Sequence, residues 1–404
     1  MKKRDILLLW VALLTVVSAC VYDYNPQIDG EGGYLIVEGD IIIGERSSFK
    51  LSYSWTLVDT LATSEDQIRV LYGTRMHIED SKGGRYEQES PYDPGASPYA
   101  VFDMRKADPS LEYRLVIENK LGTYASTWTK AAPNDGAIDS LSFRINEDHT
   151  TMSILVSTHS SDPQGGYYRW SVNETWEYRS MTNALYKYVA YYPYYSGVYQ
   201  PGLGEVVPLE RGEQYYRCWN TGARPEIMTA STVDLTEDRL VDHLLYTIDY
   251  HDERVSVMYR PEVLQMRISE EAYRYWEVMD RNSRDVGGLF SPEPSELRGN
   301  VVNVDNPDEL VLGYVGVMSV SRKTMYVDNS LLRFYRNPSR YQPVIDTLND
   351  EASYWKAYLL GKRPVGDIFN EITGDWVGYD WWPNSCVDCR AKGGTTTRPE
   401  GWPY

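Results

Sequence analysis

Alternation of apolar and polar residues at period two, broken repeatedly by turn-forming composition, is the feature that most narrows the folds open to this chain. "YLIVEGDIII" (34–43) and "SFKLSYSWT" (48–56) put apolar side chains at every second position, as a strand with one buried face requires. "RMHIEDSKGGRYEQE" (75–89) carries Gly83-Gly84 at its centre, the composition of a hairpin turn. "YAVFDM" (99–104) and "EYRLVIENKLGTYAST" (112–127), the latter turning at Asn119–Gly122, complete the series. About seven short strands in roughly 100 residues predict a β-sandwich over 33–132, immunoglobulin-like or transthyretin-like. "AAPNDGAIDS" (131–140) has the Pro, Asn, Asp and Gly of a linker and marks the boundary.

A larger β-rich domain is expected over 133–404. "SLSFRINED", "TTMSILVSTHSS" and "GYYRWSVNETWEYRS" (166–180) read as strands, as does "GNVVNVDNPDELVLGYVGVMSVSRKTMYVD" (299–328) in strand–turn–strand form. "YKYVAYYPYYSGVYQPG" (186–202) is the most aromatic segment, a long hairpin or a loop. Aromatic usage is lopsided, with 35 Tyr and 12 Trp against 6 Phe, and suits half-buried strands and wet binding surfaces. One helix is clear near 270–285: Ser269 caps it, Glu270 and Glu271 suit the positive end of the dipole, and Gly287-Gly288 stops it. Its Ala272, Trp276 and Met279 share one face. A second helix is expected over 350–362, "DEASYWKAYLLGK". The class is therefore mainly β with one or two helices in the second domain.

The first residues set the compartment. "MKKRD", the apolar "ILLLWVALLTVVSA" and then Cys20 form a basic head, a short apolar core and a small-residue cut site, an export signal over 1–19. "VSAC" matches the bacterial lipobox, which makes Cys20 the lipidated first residue of the mature chain. Residues 20–32 follow as a tether. Several acyl chains, each burying about 0.8 kcal/mol per methylene, anchor a protein almost permanently. Val21 in place of Asp directs it to the outer membrane, and Asp23, Asp29 and Glu31 favour the cell surface over the periplasmic face. The formal net charge of the whole chain, −18, argues against nucleic acid, which needs basic phosphate contacts.

Few residues point to catalysis. No nucleophile elbow, His-Glu-x-x-His pair or phosphate loop occurs. The histidines, at 77, 149, 159, 243 and 251, are scattered, and Asp305, Asp308 and Glu309 lack EF-hand spacing, so neither metal nor cofactor is expected. Glu174 and Glu177 are the carboxylates to test for glycosidase chemistry, sitting among Trp170, Trp176 and Tyr178, but a strand points residues three apart to opposite faces. Cys218, Cys386 and Cys389 remain once Cys20 is lipidated. In an oxidising compartment they predict a structural disulfide, either Cys386–Cys389 or one of these with Cys218.

"LIVEGDI", "YYRWSVNETWEY", "CW" (218–219), "SEEAYRYWEVM", "GGLFSPEPSELRGNV", "VLGYVGV" and "CVDCRAKGGTTTRPEGW" occur in this order. Together they resemble Bacteroidota-type outer-membrane lipoproteins that carry a domain of unknown function. The family's ending, Lys-Pro-Asp-Phe-Trp, is here Arg398-Pro399-Glu400-Gly401-Trp402. Such proteins are encoded beside TonB-dependent transporters. The resemblance implies an accessory lipoprotein of nutrient uptake, a non-enzymatic binder or transporter cap, and supplies no catalytic residues. Tyr192, Tyr194, Tyr195 and Trp176 are the expected ligand contacts, with an oligosaccharide or peptide as ligand. A surface glycan-degrading enzyme and a structural or adhesive protein are the alternatives.

Overall fold

The computed structural model describes residues 33–54, 64–132, 137–191, 194–195, 198–199, 203–284, 298–332 and 343–403. The chain is mainly β. Cys20 and the expected signal and tether lie outside the described residues, as does Gly287-Gly288. No described helix is long and apolar enough to cross a membrane.

The first sandwich follows from the alternation. Tyr34–Gly39, Arg46–Ser54 and Tyr99–Asp103 form one antiparallel sheet. Its Leu35, Val37, Phe49, Leu51 and Phe102 point inward. Opposite it, Gly122–Ser126, Glu112–Asn119, Arg75–Asp80 and Arg85–Glu87 pair in that order and bury Tyr124, Leu115, Ile117, Met76 and Ile78. The Gly83-Gly84 hairpin forms as expected: Gly83 takes φ +86°, and Asp80 Oδ1 accepts from Lys82 N (2.9 Å) and Gly84 N (2.8 Å). A Cβ at Gly84 would come within 2.1 Å of Asp80 Oδ2, so that carboxylate packs where only glycine fits.

The sandwich is not closed by residues 33–132 alone. Val301–Asn303 adds a strand beside Gly122–Ser126. Val317–Met318 pairs in parallel with Ile41–Ile42, and Leu312 bridges Ile36. Val301, Val311, Val315 and Val317 complete its core. The strand–turn–strand stretch expected in the second domain thus belongs in large part to the first. Periodicity identifies a strand but not the sheet it joins.

The second core lies between two further sheets. Ile138–Ile145, Thr151–His159 and Arg239–Asp249 make one. The other centres on the long strand Tyr167–Arg179, flanked by Met258–Ile268 on one side and by Arg217–Ala223 and Met228–Ser231 on the other. Alternate residues Tyr168, Trp170 and Val172 of this central strand meet Met152, Ile154 and Val156 from the facing sheet. A buried chain of hydrogen bonds ties the layers, Trp170 Nε1 to Gln265 Oε1 (2.9 Å) and Gln265 Nε2 to Thr158 Oγ1 (2.8 Å).

The helix Glu270–Arg284 starts where Ser269 Oγ accepts from Ala272 N at 3.2 Å. Ala272 and Tyr275 are buried, and Trp276 and Met279 pack beside them, as the spacing requires. A third unit follows. Asp346–Leu348, Trp376–Pro383 and Lys362–Phe369 form a small sheet. The helix Glu351–Leu359, capped by Asp350 accepting from Ser353 N, lies on it together with the ribbon Tyr186–Tyr191/Leu203–Pro208. Its core is aromatic, built on Tyr188, Tyr354 and Trp381.

A fragment of residues 33–132 should melt without cooperativity by circular dichroism, whereas adding 299–318 through a flexible linker should restore a cooperative transition. Cooperative melting of the shorter fragment would contradict the shared core.

Candidate functional site

Glu174 and Glu177 occupy opposite faces of the central strand, as the alternation required, and both are sealed in. Glu174 has a fully buried side chain with Arg224 Nη1 at 2.9 Å and Arg254 Nε at 3.1 Å. Tyr259 Oη donates to the same carboxylate and is 2.8 Å from Tyr246 Oη. Burial, followed by the charges of Tyr246 and Glu174, pushes the Tyr259 phenol far above its ordinary range. On the other face, Arg217 grips Glu177 through Nε and Nη2, each at 2.7 Å, and Trp402 Nε1 donates to it at 3.0 Å. A general acid needs a carboxyl that a substrate can reach. These carboxylates instead meet arginines within the core, and the arrangement suits structural ion pairs.

Trp176 is also internal in large part. Arg254 lies over its ring at 5.3 Å, and it packs against Tyr178 and the Cys218 and Cys389 pair, so it is not an open aromatic platform. Tyr192 lies outside the described residues. Tyr194–Tyr195 pairs with Val198–Tyr199, which makes the Tyr-rich segment a hairpin rather than a loop; the side chains there are outside the description.

The disulfide joins Cys218 to Cys389 across 171 residues, with Cα atoms 5.7 Å apart, and Cys386 is a buried free thiol. Of the pairings open to the sequence, the long-range one forms. Around it the C-terminal tail is knitted to the second domain. Cys389 N donates to Tyr215 O (2.9 Å), Tyr178 Oη donates to Cys389 O (2.7 Å), and Trp219 and Thr395 exchange backbone hydrogen bonds. Trp402 closes the tail as a buried plug beside Trp219 and Met258.

Other acidic candidates also have structural partners. Asp305 Oδ2 accepts from Thr123 N at 3.0 Å, and Glu309 accepts from Tyr124 Oη (2.8 Å) and Asn303 Nδ2 (2.6 Å). They clasp the returning segment to the first sandwich. Among the described residues, no group of three or more His, Cys, Asp or Glu could hold a metal.

Among the described residues, two of the concave sites are lined by three or more aromatic side chains. One, about 540 Å³, lies between Val37–Asp40, Leu312–Tyr314 and the helix face bearing Tyr275, Trp276 and Met279. Its base is ordered by Arg169, which pairs with Asp40 and lies 4.5 Å from the Trp276 ring centre. The other is a cup of about 190 Å³ at the base of the Tyr-rich hairpin. Tyr186, Lys187 and Tyr188 come from the ribbon, Tyr358 from the helix, and Arg363 from the following strand. Tyr215, Val387, Asp388 and Arg390 supply the floor next to the disulfide. Hydrogen bonds from Lys187 and then Tyr215 hold Glu213 down to about 2, so the Lys187–Glu213 pair (2.7 Å) at the cup stays ionised at physiological pH. Sequence reading missed Lys187, Arg363 and Arg390. The available signal was the density of Tyr with Lys and Arg in "YWKAYLLGKRP" (354–364).

A family model described as Domain of unknown function (DUF4249) matches residues 21–324, and the chain belongs to that family. No curated protein matches the chain. The match stops before Cys386, Cys389 and the small C-terminal sheet.

Replacing Glu174 by Gln should cost about 3–5 kcal/mol in urea unfolding, because buried Arg224 loses its counter-charge, and replacing Glu177, whose partner Arg217 is partly exposed, should cost less. Unchanged stability in both would return these carboxylates to consideration as catalytic groups. Non-reducing mass mapping should recover a Cys218–Cys389 peptide, with Cys386 alkylated only after unfolding, and reduction should cost about 2–4 kcal/mol. A Cys386–Cys389 peptide would contradict the observed pairing.

Proposed function

We propose that this family member is an outer-membrane-anchored accessory lipoprotein of a TonB-dependent uptake system, binding a nutrient or covering the barrel mouth without catalysing a reaction. The observation that carries the reading is an apolar hairpin tip on an acidic body. Phe369 and Trp376 face each other across the hairpin, 55% and 43% exposed, and Ile372 at its apex is 95% exposed. Exposed apolar clusters of this kind mark contact surfaces.

The tip is built rather than frayed. Asn370 Oδ1 accepts from Ile372 N (2.9 Å) and Thr373 N (3.1 Å), Gly374 takes φ +74°, and Trp376 Nε1 donates to Asp367 Oδ1 at 2.9 Å. A turn held this way presents its side chains with little ordering left to do on binding. Asp367, Glu371 and Asp375 flank it, which disfavours an anionic lipid surface and favours a protein partner. The signal, the lipobox Cys20 and the acidic tether support delivery to the outer membrane and display at the cell surface. The tyrosine cup in the same unit supports a binding role.

Affinity purification of the lipidated protein from solubilised outer membranes should bring down a TonB-dependent transporter. Ile372→Asp should abolish that recovery while shifting stability by no more than about 0.5 kcal/mol, as expected of a surface site. Recovery of the transporter with the variant would remove the hairpin from the contact. Its absence from the wild-type sample would sink the accessory reading.

A further inference from the structure

Of the three cations that line the tyrosine cup, Lys187 and Arg390 each hold a carboxylate and Arg363 does not. Lys187 Nζ is 2.7 Å from Glu213 Oε2, and Arg390 holds Asp388 through Nε (2.9 Å) and Nη2 (2.7 Å). Arg363 has no carboxylate partner among the described residues. It donates through Nη1 to the Lys362 carbonyl at 3.2 Å and lies over the Tyr358 ring at 4.8 Å. The chain has 58 acidic against 40 basic residues, so a counter-ion was available in composition but is not placed there.

We propose that the cup is a binding site for a small, ring-bearing monocarboxylate, whose carboxylate pairs with Arg363 and whose ring lies against the tyrosines. A guanidinium presents five donors in a planar fork that matches a carboxylate, and stacking on an aromatic ring fixes that plane. Tyr188 packs against Tyr358 with ring centres 5.1 Å apart, so the stacked pair is itself braced from behind. Tyr186 and Tyr215 add aromatic wall, and buried Val387 adds an apolar floor. Such walls suit a ring that has one apolar face and polar edges.

Size and charge narrow the class. A volume near 190 Å³ equals about six waters and falls below the ~300–1,000 Å³ of sites for drug-sized ligands, so it admits one ring. One unpaired cation matches a single negative charge. A phosphate dianion would bring a second charge towards Asp388 and Glu213, with no further unpaired cation among the described residues that line the cup. The floor is held by Cys389 in its disulfide and by Cys389 N donating to Tyr215 O, so the cup is formed before a ligand arrives.

The proposal goes beyond the accessory role and does not need the transporter, so its test uses the full-length protein alone in detergent. Calorimetric titration compares D-glucuronate with D-glucose, and benzoate with benzamide, with inorganic phosphate as a further probe. At least one carboxylate should bind saturably, at least about tenfold more tightly than its neutral counterpart and than phosphate. Which of the two binds tells an acidic sugar from an aromatic acid. Arg363→Gln should weaken that binding about ten- to hundred-fold, the usual range for a lost charged hydrogen bond, without lowering Tm. Arg363→Lys, which keeps the charge but not the fork, should recover part of it. Absence of saturation by either carboxylate, equal binding of the neutral partner, tighter binding of phosphate, or an Arg363→Gln variant that binds as wild type would each overturn the proposal. The wild-type comparisons decide it even if a variant does not fold.

Discussion

Charge buried on both faces of one strand governs the second domain. Glu174 and Glu177 lie three residues apart on Tyr167–Arg179, and each is about 1% exposed. Stripping a carboxylate of water costs several kcal/mol unless well-placed donors replace that water. The partners come from far along the chain: Arg217, Arg224, Tyr259 and Trp402 donate to the acids, and Arg254 stands beside Glu174 as a counter-charge. The central strand therefore accepts its neighbours only in the register that brings these groups to the two acids. A hydrophobic strand of the same length would tolerate more alternatives.

Through Glu177 the same constraint reaches the C-terminus. Trp402 donates to that carboxylate and fills the space beside Trp219 and Met258, and the Cys218–Cys389 bond fastens the preceding turn to the neighbouring strand. The tail is thus a closing element of the second domain. It also forms part of the floor of the tyrosine cup, since Asp388 and Arg390 flank the bonded cysteine. Covalent and ionic fastening at that point leaves the cup and the Phe369–Trp376 hairpin on a rigid support, which a contact surface needs if binding is not to be spent on ordering.

Local features were legible in the sequence because their causes are local. Ser269 with Glu270 and Glu271 announced a helix, Gly83-Gly84 a hairpin, and Asp350 the start of the later helix. Opposite orientation of Glu174 and Glu177 followed from strand geometry alone. Partnership was not legible. Residues 299–318 read as strands, but nothing in their alternation says that Val301 and Val315 complete the first core. Cys386-x-x-Cys389 draws attention to a short loop, whereas the bonded partner, Cys218, lies on a strand brought near by the fold. Nothing local links Lys187 to Arg363 until the ribbon and the small sheet are packed together. Trp176, expected as a ligand contact, is half-buried, with Arg254 5.3 Å from its ring centre.

The rigid aromatic unit, carrying both a cup and an apolar hairpin, is what joins the fold to the proposed role at the outer membrane. Cryo-electron microscopy of particles purified through the lipidated chain from native outer membranes tests that link most directly. The predicted result is density for a β-barrel partner seated on the Phe369–Trp376 hairpin. Particles containing this chain alone, or a barrel seated on the opposite side with the hairpin in solvent, would contradict it.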